Sequence, residues 1–527
     1  MNLNLNDAMI RLINISNLKF LKIRSTALVF FSLAFIFSGG CDKTWDDHYN
    51  NTEASVNQVM WDAIRENAQY SQFVKYIIEY ELDSLLVNNQ QYTLFIPNNE
   101  AFSAAPDTLE INDFILLHLI SPNILNLRNV STSRKLQTLS NKFALIEYIE
   151  STHYFDDTEI IYASPLFLNG RYYELNSLTL AKPNFEEYFY HDIPVMFDYV
   201  NYQVYDSLDK NASTPIGFDE DGNTIYDSVF IEINPFEDRY FPISEESRES
   251  FATFVIFSQE QYESALDEMA QNIGGVYDSH EDIPIEWQES VLLPAVLDNG
   301  VFEEALSIEQ LADPNLLNIN GERVYLDYTT IDAESKINCS NGLIYNFYEF
   351  AVADSLYLGD IKMEGESLVD SIGLGKYSWK EFVTVSGEIV EPTISKSDQA
   401  SGGSILVAGL GRNFSGTYTV EFSFYNIFPG KHRLEWAANY RPSGVYNVYV
   451  NDFLLGEFDM FNLRYSLQSV TGEIFAPNSA GINRKDFWVD NLTEYGEVRI
   501  KFEFIDRGIS SDNGFNLDYV SLIPAAE

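Results

Sequence analysis

The chain repeats itself, and no other feature limits its possible folds as much. Thr253-Phe254-Val255-Ile256, Ser258-Gln259-Glu260 and Tyr262 follow Thr93-Leu94-Phe95-Ile96, Asn98-Asn99-Glu100 and Phe102 by 160 residues. Leu293-Pro294 follows Leu117-His118 by 176, Val324 to Tyr328 follows Ala144 to Tyr148 by 180, and Asn341-Gly342 follows Asn169-Gly170 by 172. Segments kept in one order at a nearly constant offset imply one structural unit occurring twice. The copies differ: Phe257 stands where the first has Pro97, Pro294 where it has His118, and an insertion spans roughly 205–240.

Within the first copy, Val56, Val59, Met60, Ala63 and Ile64 share one helical face. Ser71 is placed to cap a second helix that turns Phe73, Val74, Ile77 and Ile78 inward. A strand at Tyr92-Thr93-Leu94-Phe95-Ile96 ends at Pro97-Asn98-Asn99, where a new helix begins. This α-α-β-turn-α order, with Leu116-Leu117-His118, Thr138-Leu139-Ser140, the strand Phe143-Ala144-Leu145-Ile146 and the closing Asn169-Gly170-Arg171-Tyr172-Tyr173-Glu174-Leu175, resembles a fasciclin-like domain over about Gln58 to Leu180. Through the repeat, the resemblance implies two α+β fasciclin-like domains in tandem. His118, on an apolar helix face, reads either as a satisfied core histidine or as a ligand. In the insertion, Asp219-Glu220-Asp221-Gly222-Asn223 reads as a hairpin turn or a calcium loop, and the glutamate that would complete an EF-hand is missing.

From about Gly359 the period becomes two. Tyr418, Val420, Phe422 and Phe424 alternate with polar neighbours, as do Val498, Ile500, Phe502 and Phe504. Leu434 and Trp436 share one strand face, and Tyr446, Val448 and Val450 lead into an Asn451-Asp452 turn. Many short strands without a long helix predict an all-β jelly-roll sandwich. The expected plan is a multidomain chain: signal peptide 1–40, fasciclin-like domains 41–190 and 191–358, and sandwich 359–527.

Four segments of this last part, Met363-Glu364-Gly365-Glu366, Ala400-Ser401-Gly402-Gly403, Phe428-Pro429-Gly430-Lys431-His432-Arg433-Leu434 and Gly514-Phe515-Asn516-Leu517-Asp518-Tyr519-Val520, resemble carbohydrate-binding modules of the family 6 and 35 type. The resemblance implies a structural calcium ion, Ca2+, held by Glu364, Glu366 and Asp518. The other reading leaves Glu364 and Glu366 on the wet face of an edge strand. Sugars stack on aromatic rings and hydrogen-bond to amides and carboxylates, which makes Tyr377, Trp379, Trp488 and Asn516 candidate carbohydrate contacts. Asn516 matches an asparagine that contacts ligand in that family, and Trp488 reads equally as a core strand residue.

The front end fixes where these domains would work. Lys22-Ile23-Arg24-Ser25, an uncharged run from Thr26 to Phe37 and then Ser38-Gly39-Gly40-Cys41 form a signal too short for a membrane span. The segment resembles the lipobox of bacterial lipoproteins, with Ser38 where leucine is usual, and implies Cys41 as a lipid anchor. The following Asp42-Lys43-Thr44-Trp45-Asp46-Asp47 is similar to the acidic export tags of Bacteroidetes-type surface lipoproteins. Cys339 is the only other cysteine, so an acylated Cys41 leaves no disulfide framework. With 32 Lys and Arg against 79 Asp and Glu, a net charge of −47, the chain excludes nucleic acid as a partner and favours neutral or cationic glycans over sulfated ones.

Catalytic signatures such as H-E-x-x-H, G-x-S-x-G and a P-loop are missing from the sequence. The expectation is a non-enzymatic, lipid-anchored outer-membrane protein at the cell surface that binds extracellular polysaccharide and works beside outer-membrane transport proteins. The alternative is an adhesion protein whose fasciclin-like pair grips a protein partner.

Overall fold

The computed structural model describes residues 57–525 except 88–89, 107, 248–249, 274–275, 325, 389–390, 410–415, 466, 476–480 and 509–513. The signal-like segment, Cys41, the acidic run after it and Val56 lie outside the described residues. The chain divides into two compact units between Ala181 and Lys182. No helix among the described residues is long and apolar enough to cross a membrane.

In the first unit, strands β1 (Tyr92–Pro97), β2 (Ile120–Ser121), β3 (Ser133–Gln137), β4 (Phe143–Ile149), β5 (Thr152–Phe155), β6 (Thr158–Ala163) and β7 (Gly170–Leu175) form one sheet in the order β2-β1-β7-β6-β5-β4-β3. β1 and β7 run parallel, and the other neighbours are antiparallel. Every residue of β1 is buried, which explains its unbroken apolar run. Helices Met60–Glu66 and Ser71–Glu79 pack against it through Met60, Trp61, Ile64, Phe73 and Ile77.

Two local expectations fail in the second helix. Ser71 is its first residue, not its cap; instead Asn99, from the helix Asn99–Ala104, accepts from Gln72 N at 2.9 Å. Ile78 is 49% exposed, because a further 100° of helical rotation carries it off the stripe set by Phe73 and Ile77.

The second unit opens with helices Phe185–Asp192 and Pro194–Tyr202. The expected boundary between residues 190 and 191 therefore cuts a helix whose Phe185 and Phe189 belong to the second core. An arm of four strands follows: β8 (Tyr205–Leu208), β9 (Thr214–Phe218), β10 (Thr224–Asp227) and β11 (Phe230–Ile233). After it come β12 (Ala252–Ile256), the helix Gln259–Asn272, β13 (Val301–Glu303), β14 (Ile337–Cys339) and β15 (Gly342–Asn346), in the sheet order β13-β12-β15-β14.

β12 and β15 are parallel in the same register as β1 and β7: Ala252 faces Gly342 as Tyr92 faces Gly170. Both glycines are dictated by contact, since a Cβ would lie 1.9 Å from Tyr92 O at Gly170 and 2.1 Å from Ala252 O at Gly342. The strand expected at Val324 to Tyr328 does not form among the described residues. There Asp327 accepts from Thr329 N at 3.1 Å and turns the backbone into the short helix Tyr328–Thr330. The Asp219 to Asn223 segment is a hairpin turn, with Asp219 Oδ1 accepting from Asp221 N at 3.0 Å and from Asn223 N at 2.7 Å.

The remaining strands are β16 (Ile361–Glu364), β17 (Val369–Gly373), β18 (Lys376–Trp379), β19 (Val383–Gly387), β20 (Thr393–Lys396), β21 (Ser404–Gly409), β22 (Tyr418–Ile427) and β23 (Gly430–Asn439). They continue as β24 (Val445–Val450), β25 (Phe453–Asp459), β26 (Leu467–Gln468), β27 (Ile474–Phe475), β28 (Ile482–Leu492), β29 (Gly496–Asp506), β30 (Gly514–Leu517) and β31 (Tyr519–Pro524). Sheets β16-β31-β23-β28 and β19-β22-β29-β24-β25 enclose one apolar core, and all ladders of this region are antiparallel.

The alternating residues named from the sequence form that core: Val420, Phe422, Ile500, Phe502, Leu434 and Trp436 are all at most 1% exposed. Asn451 and Asp452 make the β24–β25 turn with φ of 48° and 65°. The sandwich is not a free-standing piece. Phe428, between β22 and β23, sits 5.2 Å from Trp287 within the core of the preceding α+β region.

Candidate ligand sites of the sandwich

The expected calcium residues meet because β16 and β31 pair antiparallel, Glu364 facing Tyr519. Asp518 then lies beside the end of β16, where its carbonyl accepts from Gly365 N at 2.6 Å. Gly365 permits this approach, since a Cβ there would stand 2.2 Å from Leu517 O. The 400–403 turn closes over the carboxylates. Ser401 N donates to Asp518 Oδ1 (2.9 Å) and Ser401 Oγ to Glu364 Oε1 (3.0 Å). Lys362 Nζ pairs with Glu364 Oε1 at 2.9 Å. A Cβ on Gly402 would fall 2.4 Å from Glu366 Oε1.

Two carboxylate oxygens, Glu364 Oε2 and Glu366 Oε2, are buried with no hydrogen-bond partner. Burial lifts the Asp518 carboxyl from its ordinary 3.8 to about 6; Ser401 N opposes the rise, and the Glu364 and Glu366 charges add to it. Among the described residues, no three His, Cys, Asp or Glu side chains stand as a metal-holding group. The donors are nevertheless of the hard-oxygen kind that calcium takes, and the orphaned oxygens are what a cation would satisfy.

The four expected sugar contacts are not brought to one place. Tyr377 and Trp379 share a face of the β17–β18 hairpin and are half-buried against the sandwich core. Trp488 is half-buried in another sheet, on β28 opposite Arg433, with Lys431 Nζ 4.3 Å from its ring centroid. Asn516 is fully buried, so the expected direct sugar contact is corrected to a structural role. Its Oδ1 accepts from Asn439 N (2.7 Å), and its Nδ2 donates to Asn439 O (2.9 Å) and Pro442 O (2.6 Å). Those bonds pin the β23–β24 connection.

The pinned connection presents residues that sequence reasoning passed over. Tyr440 and Arg441 meet the short helix Met460–Arg464, which Asp459 caps by accepting from Phe461 N at 3.0 Å. The Arg464 guanidinium lies 3.7 Å from the Phe461 ring centroid and 4.8 Å from that of Tyr465, and Arg441 lies 5.5 Å from that of Tyr440. Arg464 Nη2 donates to Tyr465 OH at 2.6 Å, and its Nε is buried with no partner.

Elsewhere in the sandwich Arg433, Arg484 and Arg499 all pair with carboxylates. Among the described residues Arg441 and Arg464 have no such pair. Arg507 has none either, but among the described residues only Arg441 and Arg464 stand over the same ring, that of Phe461, at 5.8 and 3.7 Å. The available signal was the pairing of scarce arginines with aromatic residues in Tyr440-Arg441 and Arg464-Tyr465, which lie too far apart in sequence to read as one site.

Residues 68–179 match the family model described as a Fasciclin domain. No curated protein matches the chain. Among solved structures, the chain is similar to a family 35 carbohydrate binding module from Clostridium thermocellum, at 11% identity and TM-score 0.19, over 32% of this chain and 98% of that one. A CBM35 from Paenibacillus barcinonensis matches at 12% identity and TM-score 0.18, over 31% and 99%. A Paenibacillus xanthan lyase matches at 20% identity and TM-score 0.21, over 31% of this chain and 13% of the lyase.

Proposed function

We propose that this is a lipid-anchored cell-surface protein that captures extracellular polysaccharide with its sandwich and performs no catalysis. The observation that carries the proposal is the loop-end cluster: two guanidinium groups without carboxylate partners, stacked on Phe461, Tyr465 and Tyr440. Aromatic faces pack on the C–H side of a pyranose, while arginine forks bind oxygen acceptors and favour carboxylate. The target is therefore a polysaccharide bearing uronate groups, despite the overall acidity of the chain. Tyr377 and Trp379 supply a second contact surface.

Glu364, Glu366 and Asp518 hold Ca2+ in this reading, which neutralises three crowded carboxylates and ties the first strand of the sandwich to its last. The α+β region before the sandwich is a second, divergent fasciclin-like domain. Cys41 carries the lipid, the outer membrane is the site of action, and transport proteins there receive the captured glycan. Replacing Cys41 by serine should release the protein from membranes, and retention would contradict the anchor.

Affinity electrophoresis of the full chain tests the sugar proposal. Polygalacturonate in the gel should retard the protein with calcium present, and Arg464→Ala should restore free mobility. Equal retardation of the variant, or retardation by neutral glucan alone, would overturn it.

A further inference from the structure

The arm of the second unit combines open strand edges with exposed apolar side chains. β8 pairs with β11 and β9 with β10, bridged by Asp209 N donating to Val229 O (2.9 Å) and Val229 N donating to Ser213 Oγ (2.9 Å). Each pair is a sheet of two strands, so both outer edges lack a neighbouring strand among the described residues. Large apolar side chains are bare along it: Phe218 is 73% exposed, Ile216 66% and Phe230 61%. A two-stranded ribbon is marginal in water by itself, and open strand edges beside exposed apolar groups favour pairing with another chain.

Charge selects the partner. Residues 205–233 carry seven Asp or Glu against one Lys. At the foot of the arm a cavity of 250 Å³ is lined by Glu186, Glu232, Glu237 and Asp238 together with Val200 and Ile233. Among the described residues none of these four carboxylates is paired with Lys or Arg. Burial, aided by Glu186, raises the Glu237 carboxyl above its ordinary range, a cost that an incoming cation would relieve. A second copy of this chain is disfavoured, because each copy carries −47.

We propose that the arm is a docking edge for a protein strand of alternating basic and apolar residues, which adds to the ribbon by main-chain hydrogen bonds and places a cationic side chain in the acidic notch. Its apolar residues cover Ile216, Phe218 and Phe230. This interaction is independent of the sugar site.

The test uses the full chain and three synthetic peptides followed by fluorescence anisotropy: alternating Lys-Val, the same Lys-Val peptide with N-methylated backbone, and alternating Glu-Val. The plain Lys-Val peptide should bind, the other two should not, and the affinity should fall with salt. The double variant Phe218→Asp/Phe230→Asp should lose about tenfold or more in affinity. Glu232→Gln/Glu237→Gln, which leaves the apolar surface intact, should weaken binding and flatten its salt dependence. Equal binding of the N-methylated peptide, or full affinity in Phe218→Asp/Phe230→Asp, would overturn the proposal. So would sedimentation showing that the chain dimerises through the arm.

Discussion

The two α+β regions keep the same skeleton and differ in what is attached to it. In the first, Thr93 is fully buried, donates to Asn123 O at 2.7 Å and accepts from Leu125 N at 2.8 Å; in the second, Thr253 is fully buried, donates to Glu304 O and accepts from Leu306 N, both at 2.8 Å. Asn169 accepts from Met60 N (2.9 Å) and donates to Leu86 O (2.9 Å), while Asn341 accepts from Phe185 N (3.1 Å) and donates to Ile243 O (2.7 Å). These side chains satisfy buried backbone groups that would otherwise be unpaired.

The differences lie elsewhere. The first region extends its sheet with β3 to β5 and buries His118 against Asp156 at 2.9 Å. The second has β14 in the place of β6 and, among the described residues, no strand beyond it; it carries the arm and fuses with the sandwich through Phe428. What recurs is what the backbone needs, so new roles belong to the additions.

The largest effects should come from the paired asparagines. Asn169→Ala and Asn341→Ala should each remove about 2–3 kcal/mol from their own unit, read as separate calorimetric transitions. A large loss in one unit and none in the other would break the equivalence. Thr93→Val and Thr253→Val, nearly isosteric, should cost about 1–2 kcal/mol each.

A pH series separates the units, because only the second holds Asp518. Its folded carboxyl titrates near 6 and its unfolded one near 3.8, so the folded state binds more protons between those values. Stability of the second transition should therefore fall as pH rises through that window, and added calcium should reverse the fall. A first transition moving in parallel would show that another group is responsible. The smallest effects belong to the caps: Ser258→Ala and Asn98→Ala, each removing the acceptor for an N3 amide, should cost about 1 kcal/mol in thermal melts.

What the sequence revealed depended on how local the cause was. The alternation in β22 and β29 needs only neighbouring residues, and every apolar position named there is buried. The Asn169 and Asn341 motif was visible as a repeat, although its hydrogen bonds to distant backbone were not. Asn516 reads as a sugar contact through the family resemblance alone, and its burial is hidden from the sequence because Asn439 and Pro442, which hold it, lie 77 and 74 residues away. The β4 equivalent at Val324 to Tyr328 has suitable residues, but among the described residues no hairpin stands beside it to pair with, and Asp327 caps the short helix Tyr328–Thr330 instead. Arg441 and Arg464 became a candidate site only when folding set them over the same rings and left both without a carboxylate.

Calorimetric titration of the full chain with oligogalacturonate, calcium present, tests the central claim most directly. Binding heat in the wild type that vanishes in Arg464→Ala, with an unchanged melt, is the predicted result. Equal heats from both proteins, or none from the wild type, would contradict saccharide capture at this end of the sandwich.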